Sequence, residues 1–152
     1  MSFSLFKSTC AFLIAFAGSS TLASTVCYKA LNPQNISIKP ENRKVERASA
    51  ARIVYQNVKS VDPSGVTIFP SLAIRAQSKS YKFKTTAYQF DETHPDDFSV
   101  ECDGGKTTMK KVGGILVLNS EYLAGEIKTP DEGCATGSVS FKNLAVEETS
   151  CR

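Results

Sequence analysis

The chain of 152 residues carries 18 Lys and Arg against 15 Asp and Glu, a formal net charge of +3, with one His, five Cys and no Trp. No repeat, low-complexity tract or Pro- and Ser-rich linker divides it, which excludes a repeat array and points to one domain with one core. No CxxC or HxxxH spacing occurs, which argues against structural zinc, and Gly104-Gly105-Lys106-Thr107-Thr108 is no phosphate loop because the rest of that pattern is missing.

The first element in chain order is an export signal. Lys7 precedes an apolar run from Cys10 to Ala17, Gly18-Ser19-Ser20 breaks it, and Thr21-Leu22-Ala23 places small residues before a cut. The run is shorter than the roughly 20 residues a spanning helix needs. Residues 1–23 are therefore expected to be removed, leaving 24–152 as a single β-rich domain, periplasmic or secreted, with no membrane span. Val26 stands where a lipoprotein signal wants a small residue, so no lipid anchor is expected on Cys27.

Loss of Cys10 leaves Cys27, Cys102, Cys134 and Cys151, an even count that indicates two disulfides in an exported chain. If the chain between Cys134 and Cys151 were extended, its ends would lie about 50 Å apart at about 3.3 Å per residue. Pairing those two would demand a sharp reversal near Lys142-Asn143. The preferred pairing is Cys27–Cys151 with Cys102–Cys134, which also brings the termini together.

Asn35-Ile36-Ser37 is a glycosylation acceptor triplet. Residues 41–51 follow Pro40 and contain good helix formers, with Val45, Ala48 and Ala51 at a spacing of three, so a short helix is expected there. The strongest signal is a hairpin. The β-branched stretch Ile53 to Val61 meets Asp62-Pro63-Ser64-Gly65, whose residues suit a type I turn, and Val66 to Phe69 follows. Pro70 marks a bulge, edge or bend. Tyr81, Phe83, Thr85 and Ala87 alternate with Lys82, Lys84 and Thr86, a period of two with the apolar face inward. Further strands are expected over Phe98–Cys102, Thr107–Val112, Ile115–Leu118, Tyr122–Lys128 and Gly137–Val146. The fold class is all-β: a single antiparallel barrel or two-sheet sandwich of about eight strands.

The stretch FDETHPDDFSVECD, from Phe90 to Asp103, holds the lone histidine, and its acidic cluster lies between strands that end at Phe90 and resume at Phe98. Asp91, Glu92, Asp96 and Asp97 are the candidate binding residues, since a rigid β-scaffold presents function on its loops. His94 and Asp97 are the candidates for catalysis, although no nucleophile motif accompanies them. Asp91, Asp96 and Asp97 are the candidate calcium carboxylates, although the alternating spacing and central Gly of a calcium loop are missing. The residue types best suit a solvated polar turn.

Charge is unevenly laid out. From Ser24 to Phe90, eleven Lys and Arg face three acids, giving +8; from Asp91 to Arg152, six face twelve, giving −6. Basic strands beside acidic ones account for this in a single β-domain. Arg75, Lys79, Lys82 and Lys84 with Tyr81, Phe83 and Tyr88 resemble a nucleic-acid surface in composition. Strand parity turns Tyr81 and Phe83 away from the lysines, so nucleic acid is not an expected partner. Cys102-Asp103-Gly104 is similar to a run carried by exported β-barrel inhibitors of lysozyme. The Ser-Gly-x-x-Tyr loop of those inhibitors is missing, so that resemblance assigns no residue a role.

The expected function is an exported, non-enzymatic β-domain that binds a macromolecular partner or a small apolar ligand, inhibitor-like or carrier-like, without a cofactor. The expected binding loops are Asp91–Asp97 and Thr129–Gly133. The alternatives are an exported hydrolase using acidic residues and a structural component of a surface assembly.

Overall fold

The computed structural model describes residues 25–130 and 133–152, apart from the side chain of Ala135. The expected export signal over residues 1–23 lies outside them. The described chain is almost wholly strand: β1 (Val26–Ala30), β2 (Ile36–Pro40), β3 (Glu46–Arg47), β4 (Ala50–Asp62), β5 (Gly65–Gln77), β6 (Lys82–Tyr88), β7 (Asp97–Ser99), β8 (Gly105–Val112), β9 (Ile115–Thr129) and β10 (Gly133–Thr149). A 3-10 turn at Pro33–Asn35 separates β1 from β2. Among the described residues no helix is long and apolar enough to cross a membrane.

All pairings are antiparallel, and they close on themselves. Eight strands form a circuit, β1-β4-β5-β6-β7-β8-β9-β10, with β10 returning to β1. β2 and β3 extend from the lower half of β10. The architecture is therefore a barrel with a two-stranded annex rather than a sandwich. The sheet also forks. β6 pairs with β7 through Tyr88 and Ser99, but with β9 lower down, through Lys82–Lys128, Phe83–Ile127 and Lys84–Glu126. At the fork Gly125 has no side chain because Phe83 occupies the space, and a Cβ there would lie 2.5 Å from its ring.

The period of two dictates the core. Ile53, Leu72, Ile74, Phe83, Ala87, Phe98, Leu118, Leu123, Ile127, Val139, Leu144 and Val146 point inward and are buried in one cluster. Burying each large side chain contributes roughly 1.5–3 kcal/mol. Ile36 and Ile38 on β2 join the same cluster, so the annex belongs to the core.

The helix expected over 41–51 is absent, and tertiary hydrogen bonding explains why. Asn42 adopts a left-handed φ of 59°, which no right-handed helix accommodates. Beyond it the Glu46 carboxylate accepts from Ser78 Oγ at 2.6 Å and Ser80 N at 3.0 Å, and the Tyr81 hydroxyl donates to Lys44 O at 2.9 Å. Ala48 N and Ser49 N donate to Ile36 O and Gln77 O. These bonds tie the segment across the barrel floor, and Ala48, just past β3, and Ala51, in β4, are buried. The spacing of three that suggested a helix comes from two separate contacts; Val45 is exposed.

Cys27 and Cys151, 124 positions apart in sequence, form the expected disulfide, with Cα atoms 5.2 Å apart. The second expected bridge, Cys102–Cys134, is not formed, because Cys134 is a free, exposed thiol. Register accounts for this. The β7–β8 turn containing Cys102 ends with Gly105 opposite Leu123, whereas Cys134 stands opposite Lys128, five residues further along β9. Nor does β10 reverse near Lys142-Asn143. It passes through a bulge between Phe141 and Leu144, with Asn143 at φ 51°. Asn119 Oδ1 accepts from Asn143 N, and Asn32 and Asn35 donate to Asn143 O and Lys142 O. Below the bulge β10 pairs with β2, and above it with β1.

Candidate functional site

Antiparallel pairing places three turns at one end of the barrel. β4, β6, β8 and β10 all run upward, so the β4–β5, β6–β7 and β8–β9 connections crown the same rim.

The β4–β5 connection is a tongue. β1 pairs with β4 only as far as Tyr55, and β6 pairs with β5 only as far as Ser71. Beyond those residues the two strands pair only with each other among the described residues, from Asn57–Pro70 to Asp62–Gly65. Asp62 Oδ1 accepts from Ser64 N at 2.8 Å and from the Ser64 hydroxyl, locking the Pro63-Ser64 tip. Both bonds hold the Asp62 carboxyl below its usual range. The inward face of the barrel continues onto the tongue past the rim. Val61, Val66 and Ile68 therefore emerge into solvent, the last two 58% and 55% exposed. On the opposite face Phe69 packs edge-on against Tyr88 at 5.7 Å and tilts against Phe90 at 5.9 Å.

The β8–β9 connection is a two-residue hairpin, with Val112 opposite Ile115. Its tip, Gly113-Gly114, has φ values of 58° and 83°, the left-handed pair that a tight hairpin requires. Val112 and Ile115 are both exposed.

Between tongue and hairpin lies the acidic loop. Asp91 Oδ1 accepts from Thr93 N at 2.9 Å and from Thr93 Oγ1 at 2.6 Å, while Asp91 Oδ2 lies 2.8 Å from His94 Nδ1. His94 N donates to Asp91 O, and Asp97 N to His94 O, so two turns follow one another. The Thr93 hydroxyl, then His94, hold the Asp91 carboxyl well down, to about 2. Asp91 does orient His94, but the third partner is misplaced for catalysis. The Thr93 hydroxyl meets the same ring nitrogen as Asp91, at 3.0 Å, and donates its proton to that carboxylate. A nucleophile relay needs acid and hydroxyl on opposite ring nitrogens. The arrangement locks a turn. The backbones of Asp96 and Asp97 run into the sheet: Asp96 O accepts from Met109 N, and Asp97 begins β7 opposite Thr108. Among the described residues no three His, Cys, Asp or Glu side chains gather around a metal position, so the Asp91, Asp96 and Asp97 carboxylates do not converge. Glu92 is exposed on the loop.

Two residues outside this loop carry unexpected chemistry. Glu101, in the β7–β8 turn, buries both carboxylate oxygens without a hydrogen-bond donor among the described residues, and burial pushes its carboxyl up. Burial, then the Glu101 charge, raises the Tyr88 phenol as well. Its place in the strand expected over Phe98–Cys102 gave no hint of this. Cys134 donates its thiol proton to Glu126 Oε1 at 2.9 Å, and that bond raises the thiol, making it a poor nucleophile. Of the second expected binding loop, Thr129–Gly133, Asp131 and Glu132 lie outside the described residues.

The inward side chains form one buried cluster, and the rim carries five of the exposed large apolar side chains, Val61, Val66, Ile68, Val112 and Ile115. No protein-family model, curated protein or solved structure matches the chain.

Proposed function

We propose that the protein is an exported, non-enzymatic β-barrel domain that binds a macromolecular partner at its upper rim. The observation that carries this reading is the rim itself. The tongue, the acidic loop and the β8–β9 hairpin project side by side from a closed barrel, with Val61, Val66, Ile68, Val112 and Ile115 exposed on the two hairpins. Exposed apolar side chains rimmed by polar groups suit association with another chain. The inward apolar side chains pack in one buried cluster, which supports this over carriage of a small apolar ligand. Export is supported by the layout of residues 1–23 and by the Cys27–Cys151 disulfide.

A photoreactive residue at position 68 or 112, introduced into protein made in its natural compartment, is expected to crosslink one macromolecular species. The same group at Lys142, on the barrel side, is expected not to. Neutralising Glu92 and Asp96 together, two exposed acids of the loop, is expected to weaken capture of that species while moving the melting temperature by no more than about 2 °C, since exposed substitutions change stability little. A hydrolytic activity on glycans or peptides that disappears in His94→Ala or Asp97→Asn would overturn the binding reading.

A further inference from the structure

The lower outer face of the barrel, remote from the rim, carries a second surface. Register aligns side chains from neighbouring strands into rows across it. In one row Lys29, Arg52, Arg75, Lys84 and Glu126 stand opposite one another on β1, β4, β5, β6 and β9. In the next row Gln77, Lys82, Lys128 and Cys134 do the same. The rows lie two residues apart along each strand, roughly 7 Å, and neighbours within a row about 4.8 Å apart. Between them runs a groove of about 690 Å³ whose charged lining is Arg52, Arg75, Lys82, Lys84 and Lys128 against the single acid Glu126.

Complementary pairing of basic with acidic strands does not account for this grid. Two cations do find acids: Lys29 pairs with Glu147 at 2.9 Å and Lys84 with Glu126 at 3.7 Å. Arg52 donates to the backbone oxygens of Ser150 and Arg152. Among the described residues, Arg75, Lys82 and Lys128 have no carboxylate within ion-pair distance. Arg52 faces Arg75, Arg75 faces Lys84, and Lys82 faces Lys128. Like charges directly opposite on paired strands oppose folding, and Glu126 offsets only Lys84 and Lys128 among these cations.

We propose that this grooved face binds an acidic polysaccharide, whose carboxylate or sulfate groups settle between the two rows of cations. The neighbours on the face select this class among polyanions. Tyr81 is buried, and Phe83, which borders the groove, is only 2% exposed, so the face offers no open aromatic platform on which bases could stack. None of the exposed large apolar side chains lies on these rows, so nothing is placed to enter a lipid layer. Exposed Gln77 supplies an amide suited to sugar hydroxyls. Glu126, at the end of its row beside Lys84, opposes an anionic ligand, and its removal strengthens binding.

The test uses the mature, disulfide-intact protein and four probes: a heparin octasaccharide, its desulfated and carboxyl-reduced counterpart, single-stranded DNA of equal charge, and anionic phospholipid vesicles. Arg75→Gln/Lys82→Gln/Lys128→Gln is expected to weaken octasaccharide binding about tenfold or more and to flatten its salt dependence. Lys110→Gln/Lys111→Gln/Lys142→Gln, which removes the same charge elsewhere, is expected to change it less than about twofold. Glu126→Gln is expected to tighten it about two- to threefold. Unchanged melting temperatures confirm that all three variants fold. Equal losses in the two triple variants, weaker binding by Glu126→Gln, equal binding of the neutral counterpart, or DNA or vesicles bound as tightly as the octasaccharide would each overturn the proposal.

Discussion

Glu101 is the residue whose environment is hardest to reconcile with its chemistry. A carboxylate that buries both oxygens without a donor loses hydration and gains nothing in return. Its folded value lies above the unfolded value of 4.5, so the native state holds the proton more tightly than the unfolded chain. The contribution of Glu101 to stability is therefore most favourable below that value and declines as pH rises through the folded one. Glu101→Gln is expected to gain about 1 kcal/mol at pH 7, with the gain vanishing below about pH 4. Urea unfolding at the two pH values measures this, and an equal gain at both would remove the charge from the explanation. Asp91 behaves oppositely: its lowered carboxyl keeps the Thr93 and His94 contacts intact until pH falls towards about 2. Neither environment is legible in the sequence, because alternation gives the face a side chain takes but not what lies against that face. The Cys102–Cys134 expectation failed for a related reason. Counting thiols constrains how many can pair, whereas register decides which ones meet.

At the scale of elements, the strands and the tight turns were the legible part. Asp62-Pro63-Ser64-Gly65 and Gly113-Gly114 state their turns locally, and the Lys82–Ala87 alternation states its inward face. The segment over 41–51 was illegible because its conformation is imposed from outside, by Glu46, Tyr81 and the backbone of β2 and β5. The bulge in β10 was illegible too, since it depends on three asparagines far away in sequence. That bulge carries its own prediction. Asn143 has a φ of 51°, where Asn and Gly are tolerated and β-branched residues are not. Asn143→Gly is expected to change stability by less than about 1 kcal/mol, and Asn143→Val to cost about 2 kcal/mol, both measured by denaturant unfolding. Similar costs for the two would show that contacts, rather than backbone conformation, fix the bulge.

For the whole molecule, the circuit closes where β1 lies between β4 and β10, and the Cys27–Cys151 disulfide fastens that closure. The bridge spans nearly the whole described chain, so it restricts the unfolded ensemble strongly. Replacing both cysteines by serine is expected to cost about 3 kcal/mol and to lower the melting temperature by roughly 10 °C, as calorimetry would register. A change within about 2 °C would mean that the paired strands alone hold the ends together. A barrel closed in this way leaves few free sheet edges, and its most exposed ones lie along the tongue. The fork at β6 has a further mechanical meaning. Only three residue pairs join β6 to β9, and in two of them charged side chains meet: Lys82 with Lys128, and Lys84 with Glu126. Like charges in the first and opposite charges in the second act on the same short seam. Its closure is expected to respond to ionic strength, and an anion laid across those lysines would act as its buckle.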